Sequence, residues 1–335
     1  MALIDSSYTH RDRETRGIGY RRWVIAQATI TACLKVKGMR WVMWTCWIYA
    51  LLQGVFLFGF GQLMIENSAV SNFITEELDL FKNFAPMFRA WAADNPRIAI
   101  GMTYNMFFYL FTGSIVSSLT LSLVALGMAI PRLITSDLSS RAITIYSSKA
   151  VSRFDYCIGK FAGVLLLLTL TWLGPTLATW MMGNLMAPEV SFFWHTAPAL
   201  LHSVAFVGLG MVILGLMALG ISAMTSSPRT ATAVWVGLLL MGVVLSGIGM
   251  GSKNYWLQYL SFWFDLELLQ RSLFGIGGDF KELGDKYPGF TEMGLIKNIK
   301  MRLELTAENV SAAIACLSVL SAGALVTLYK KVKPE

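Results

Sequence analysis

Charge is what this sequence has least of. Only 14% of its 335 residues are Asp, Glu, Lys or Arg, against roughly 25% in soluble domains, and the mean hydropathy is +0.58. The charges that exist are bunched. Six runs, residues 41–65, 98–131, 161–188, 190–228, 230–252 and 309–329, contain no charged residue at all. Each is longer than the ~18 apolar residues that suggest a membrane-crossing helix, which excludes an ordinary soluble domain. The expected fold is all-α: a polytopic membrane protein of six transmembrane helices, forming a single transmembrane domain over residues 1–335.

Other absences narrow the chemistry. The four cysteines, Cys33, Cys46, Cys157 and Cys316, show no CxxC or other metal-ligand spacing, so neither a disulfide framework nor a zinc site is expected. The six runs hold no carboxylate, the group that proton- or sodium-coupled carriers place within their spans. No G-x-x-x-x-G-K-[ST] phosphate loop is present, so the chain carries no nucleotide engine of its own. H-E-x-x-H and G-x-S-x-G are absent too, which argues against an intramembrane hydrolase. No ring-forming polar filter of the channel kind is found. His202, a turn inside the fourth run, is either a packing group or a substrate ligand; with Tyr104 and Asn105 it makes the candidate substrate path.

What charge there is sets an orientation. With six spans both termini share a side, and 17 of the 27 Lys and Arg residues fall there. By the positive-inside rule that side is cytoplasmic. The acidic residues divide the other way, so the pI of about 9.2 reports topology and attraction to anionic lipid. The basic residues gather on no soluble face, and no nucleic-acid partner is expected. A cell-membrane, multi-pass location with cytoplasmic termini follows.

Residues 1–40 read as a cytoplasmic lead. Within it Trp23, Ala26, Ile30, Cys33 and Leu34 fall at helical spacing, the pattern of an amphipathic helix in the inner interface. The first run is too long for a signal core and is read as a retained span. Spans are expected near 41–62, 102–130, 161–184, 199–223, 231–251 and 309–329, with outer loops at 63–98 and 253–308. In the last loop Trp256, Tyr259, Leu260, Trp263 and Leu266 recur every three or four positions, predicting a helix resting at or dipping into the outer interface. Gly247-x-x-x-Gly251 in the fifth span is a formal small-xxx-small match, permitting close helix approach.

One polar stretch interrupts the apolar chain between spans two and three. In residues 131–160, Ile134, Leu138, Ala142 and Ile145 make one apolar helical face, and Ser136 and Asp137 suit a helix start. A short surface helix over 134–146 is predicted. "PRLITSDLSSRAITIYSSKAVSRFDYCIGKFAGVLLLL" (131–168) resembles the inner loop of type-2 ABC transporter permeases. Asp137 matches the acidic position, Val151-Ser152-Arg153 the "SR" element, and Tyr156 with Gly159-Lys160 the start of span three. The departure is Lys149-Ala150, where that family usually has a proline.

The resemblance implies a mechanism. Such permeases pair as two copies or paralogues above two ATP-binding subunits, and this loop is the coupling helix that takes up their motion. Asp137, Arg141, Lys149, Arg153 and Lys160 would then be docking or hinge residues. ATP and magnesium would sit on the partner subunit, and this chain would hold no cofactor and catalyse nothing itself. An exporter, or a mechanical driver of an outer-side partner, is expected. The alternative is a membrane-bound scaffold or enzyme acting through its outer loops.

Overall fold

The computed structural model describes residues 17–63, 65, 71–73, 86, 89–113, 117–140, 152–252, 254–276 and 309–332. Among these there is no β-strand. Six helical stretches are long and apolar enough to cross a membrane: Lys37–Gln62, Pro96–Ser139, Arg153–Leu185, Ser191–Met224, Pro228–Gly249 and Val310–Lys331. They coincide with the six uncharged runs. Most of the two loops predicted to be outer, 63–98 and 253–308, lies outside the described residues.

Helix α1 (Ile18–Leu34) turns through Lys35-Val36 into α2 (Lys37–Gln62), the first span. The second span is not continuous. It consists of α3 (Pro96–Gly113) and α4 (Ser118–Ala129), followed by a 3₁₀ turn (Ile130–Arg132) and a short α5 (Thr135–Ser139). Hydropathy sees one apolar run here, because Gly113, Ser117 and Ser118 carry no charge. These residues nonetheless supply what a helix end needs. Ser117 adopts an extended backbone and its hydroxyl accepts from the Leu119 amide at 3.2 Å, a helix cap in the middle of an apolar run.

The third span is α6 (Arg153–Leu168), a π-helical turn (Thr169–Leu173) and α7 (Gly174–Leu185). Pro175 is the physical cause of the wide turn: it offers no amide to the preceding turn and its ring crowds the carbonyl four residues back. The helix begins at Arg153, eight residues before the uncharged run, so Lys160 belongs to the span and not to the loop. The fourth span is α8 (Ser191–Met224), about 51 Å at 1.5 Å per residue, and the fifth is α9 (Pro228–Gly251). A 3₁₀ turn (Tyr255–Leu260), α10 (Phe262–Phe274) and the sixth span α11 (Val310–Lys331) complete the described chain.

Close packing is set by glycines, though not by the predicted pair. A Cβ at Gly247 or Gly251 would meet nothing within 4 Å, so that match makes no seam inside the chain: both positions face outward. The close seam is Gly159-x-x-x-Gly163 on α6, which sequence reading passed over because it lies across the loop boundary. A Cβ at Gly159 would come 2.7 Å from the Ile25 side chain, and one at Gly163 would come 2.7 Å from Thr29. Helix α1 is thereby laid against the third span, with Ala26, Thr29 and Cys33 buried and Trp23 exposed. It has a packed face as well as an open one.

The predicted outer helix also differs. It is two elements, broken at Ser261, whose hydroxyl caps α10 by accepting from the Phe264 amide at 3.3 Å. Trp256 and Tyr259 lie on the 3₁₀ turn and Trp263 on α10. Helix α10 packs against α3, α8, α9 and α11, burying Leu266, Leu269, Gln270, Arg271 and Phe274. It sits among the spans and not on one apolar face.

Candidate functional site

The polar residues of the 131–160 segment converge at the end of the bundle that carries the start of α6 and the close of α11. Helix α5 is only five residues long and ends at Ser139. Arg141 and Lys149, two of the predicted docking residues, lie outside the described residues. The other three divide in an informative way.

Asp137 and Lys160 face each other. The ammonium lies 2.7 Å from a carboxylate oxygen, with side-chain exposures of 8% for Lys160 and 16% for Asp137. The Tyr156 hydroxyl donates to the same carboxylate at 2.6 Å, and Lys160 donates to the Leu133 carbonyl at 2.6 Å. The Lys160 nitrogen stands 5.6 Å from the centre of the Tyr156 ring. A cation and an anion so shielded are held by each other. They tie α5 to the third span.

A second tie, not foreseen from sequence, runs to the fourth span. The Ser222 hydroxyl accepts from the Ile134 amide at 2.8 Å and the Thr135 amide at 3.0 Å, and donates to the Ile130 carbonyl at 2.7 Å. The Thr135 hydroxyl donates to the Ser222 carbonyl at 2.7 Å. Ser222 and Thr135 are both fully buried. A 3₁₀ turn followed by a new helix start leaves backbone groups without partners; one hydroxyl from α8 satisfies two amides and adds a second bond to the Ile130 carbonyl, which already accepts from the Leu133 amide. A lone serine in an apolar run gives no spacing signal, which is why it went unseen.

A third tie holds α1. Arg22 pairs with Asp155 at 2.6 Å, and the Ser152 hydroxyl, capping α6, donates to the same carboxylate at 2.6 Å. Residues 133–139 are thus bonded to the third and fourth spans, and α1 is bonded to the third. Arg153 behaves differently. It is exposed, one turn from this network, and lines a groove between α6 and α11 together with Lys330.

Of the three candidate substrate-path residues, Tyr104 and Asn105 are buried and His202 is half-buried. The Asn105 amide donates to the Phe274 carbonyl at 2.6 Å, and its oxygen sits 3.0 Å from His202 Nδ1. The His202 and Phe274 rings are 5.8 Å apart. These contacts join α3, α8 and the last residue of α10. Tyr104 is fully buried and turned to an aromatic group, Phe60, Phe108 and Phe192.

Nearby, the interrupted second span is repaired by side chains. Gln270 donates to the Tyr109 carbonyl and the Thr112 hydroxyl, both at 2.8 Å. Trp172 donates to the Thr112 carbonyl at 3.3 Å, and Ser118 to the Phe111 carbonyl at 3.0 Å. Carbonyls freed by a helix end must find partners when no water is available. At the Tyr255–Leu260 turn Trp256 is exposed, while the Tyr259 hydroxyl accepts from the Asn309 amide at 3.2 Å. Among the described residues no cluster of three or more His, Cys, Asp or Glu forms a metal site.

No protein-family model and no curated protein matches the chain.

Proposed function

We propose that this chain is the membrane-spanning subunit of an ATP-driven transporter of the type-2 permease kind. It works as an exporter or as the mechanical driver of an outer-side partner, powered by a separate ATP-binding subunit that docks on the 131–160 loop. The observation that carries the reading is the double tie on residues 133–139: Asp137 to Lys160 and Tyr156 on one side, Ser222 on the other. A push on this loop needs rigid attachment to become a tilt of spans, and buried hydrogen bonds and a shielded ion pair supply it. In this reading the 131–160 side is cytoplasmic, Asp137 and Lys160 serve the hinge, and Arg141 and Lys149 are docking groups. ATP and Mg²⁺ belong to the partner, and a second copy or paralogue completes the path.

The test is co-purification of an ATPase subunit with the full chain, using Arg141→Glu against Asp137→Asn. Charge reversal at Arg141 is expected to cut association with the ATPase. Asp137→Asn is expected to leave association intact while uncoupling ATP turnover from transport. Full transport by the purified chain without a nucleotide-consuming subunit would overturn the proposal.

A further inference from the structure

The groove that contains Arg153 is a separate feature from the coupling segment. Helices α6 and α11 both pack on α8 but scarcely touch each other. The crossing of α11 over α8 is tight, since a Cβ on Gly220 would lie 2.7 Å from the Ala324 side chain. Between α6, α8 and α11 lies a cavity of about 550 Å³. That volume lies within the ~300–1,000 Å³ of small-molecule sites.

Its walls are apolar. Phe154, Ile158 and Phe161 come from α6, Leu216 and Leu219 from α8, and Leu325 from α11. Its mouth is cationic: Arg153 and Lys330 are the charged residues on the lining. Both are exposed, and no carboxylate stands among the lining residues. The nearest acid in sequence, Asp155, is committed to Arg22 on the opposite, α1 side of the helix.

The depth also fits. From Arg153 to Phe161, and from the end of α8 back to Leu216, is eight residues, or about 12 Å of helix. Arg153 and Lys330 fall at the terminal turns of their spans, where headgroups lie and where long basic side chains place their charge. A ligand matching this layout has an anionic head and an apolar tail and lies along the bundle. We infer that the α6–α8–α11 groove is a binding site for an anionic phospholipid of the adjoining leaflet, its phosphate held between Arg153 and Lys330 and an acyl chain against Phe161, Leu216 and Leu219. The inference is independent of the transport reading.

The experiment is native mass spectrometry of the full chain in detergent, titrated with dioleoylphosphatidylglycerol, dioleoylphosphatidylcholine or inorganic phosphate. Phosphatidylglycerol is expected to bind with at least about tenfold preference over phosphatidylcholine, since each basic side chain near an anionic lipid contributes appreciably. Inorganic phosphate is expected not to compete at millimolar concentration. Arg153→Ala/Lys330→Ala should abolish the preference, Leu219→Trp should lower uptake of phosphatidylglycerol with both charges in place, and Arg229→Ala should change neither. Equal binding of the two lipids by the unaltered chain would overturn the inference without any variant. So would unchanged preference in the double variant, or a dimer of the chain that excludes lipid from the groove.

Discussion

The side-chain amide of Gln270 occupies the space that a Cβ on Gly113 would fill. The two residues lie 157 positions apart, yet one explains the other. Gly113 ends α3 without a side chain, and Gln270 uses the gap to reach the Tyr109 carbonyl. Gly113→Ala should therefore expel the amide and break its bonds to the Tyr109 carbonyl and the Thr112 hydroxyl, at about 1–3 kcal/mol. Gln270→Ala should cost a similar amount. The double variant should cost clearly less than the sum, because either change alone already breaks the bond. Thermal unfolding of the four proteins in one detergent checks this; additive losses would mean that the glycine and the amide act separately.

The Asp137–Lys160 pair predicts a different pattern. Lys160→Met removes the cation and leaves Asp137 with Tyr156; Asp137→Asn leaves a shielded ammonium without its counter-charge, held by the Leu133 carbonyl and the Tyr156 ring. Removing one member of a buried pair costs about 3–5 kcal/mol, and the residual exposure of Asp137 places these variants toward the low end. The Asp137→Asn/Lys160→Met double variant should recover part of the loss. Stability measured by chemical denaturation against the two single variants decides it.

How much of this was legible beforehand follows from what each feature is made of. The six spans were legible because lipid imposes a length of uncharged sequence, and 98–131 or 190–228 can hardly be read otherwise. The break in the second span was not, since Gly113 and Ser117 are as acceptable inside a span as at its interruption. Asp137 and Lys160 could be picked out as chemistry-bearing residues, because charge is scarce here. Their facing each other could not, as it depends on α6 starting eight residues ahead of the uncharged run. Ser222 was invisible for a third reason: its role is to meet backbone groups of a distant turn, and backbone leaves no trace in residue identity.

The glycine seam offers a comparison within one chain. Gly163→Leu would drive a side chain into Thr29 and the Ala26 carbonyl, and helix backbones cannot shift apart without opening the α1–α6 interface. A loss of about 1–3 kcal/mol is expected from overpacking, with α1 released to protease. Gly247→Leu meets open space and should leave stability within about 0.5 kcal/mol, as outward substitutions do. Limited proteolysis near residue 35 together with thermal unfolding distinguishes the two. Equal tolerance at both positions would remove the seam.

Asp265 gives the pH prediction. It lies in the first turn of α10, fully buried, and neither carboxylate oxygen has a hydrogen-bond partner. Burial alone raises its pKa from 3.8 to about 8, because the charged form loses water and gains nothing in return. The folded protein then holds a proton that the unfolded chain has released. Between about pH 4 and pH 8 the folded state binds more protons, so stability falls as pH rises and levels off above the folded value. The slope from one such proton is at most about 1.4 kcal/mol per pH unit. Asp265→Asn keeps the shape without the titration and should flatten this dependence, becoming more stable than the parent at pH 8 while differing little at pH 4. Unfolding midpoints for both proteins across pH 4–9 test it, and parallel curves would show that Asp265 finds a partner for its charge.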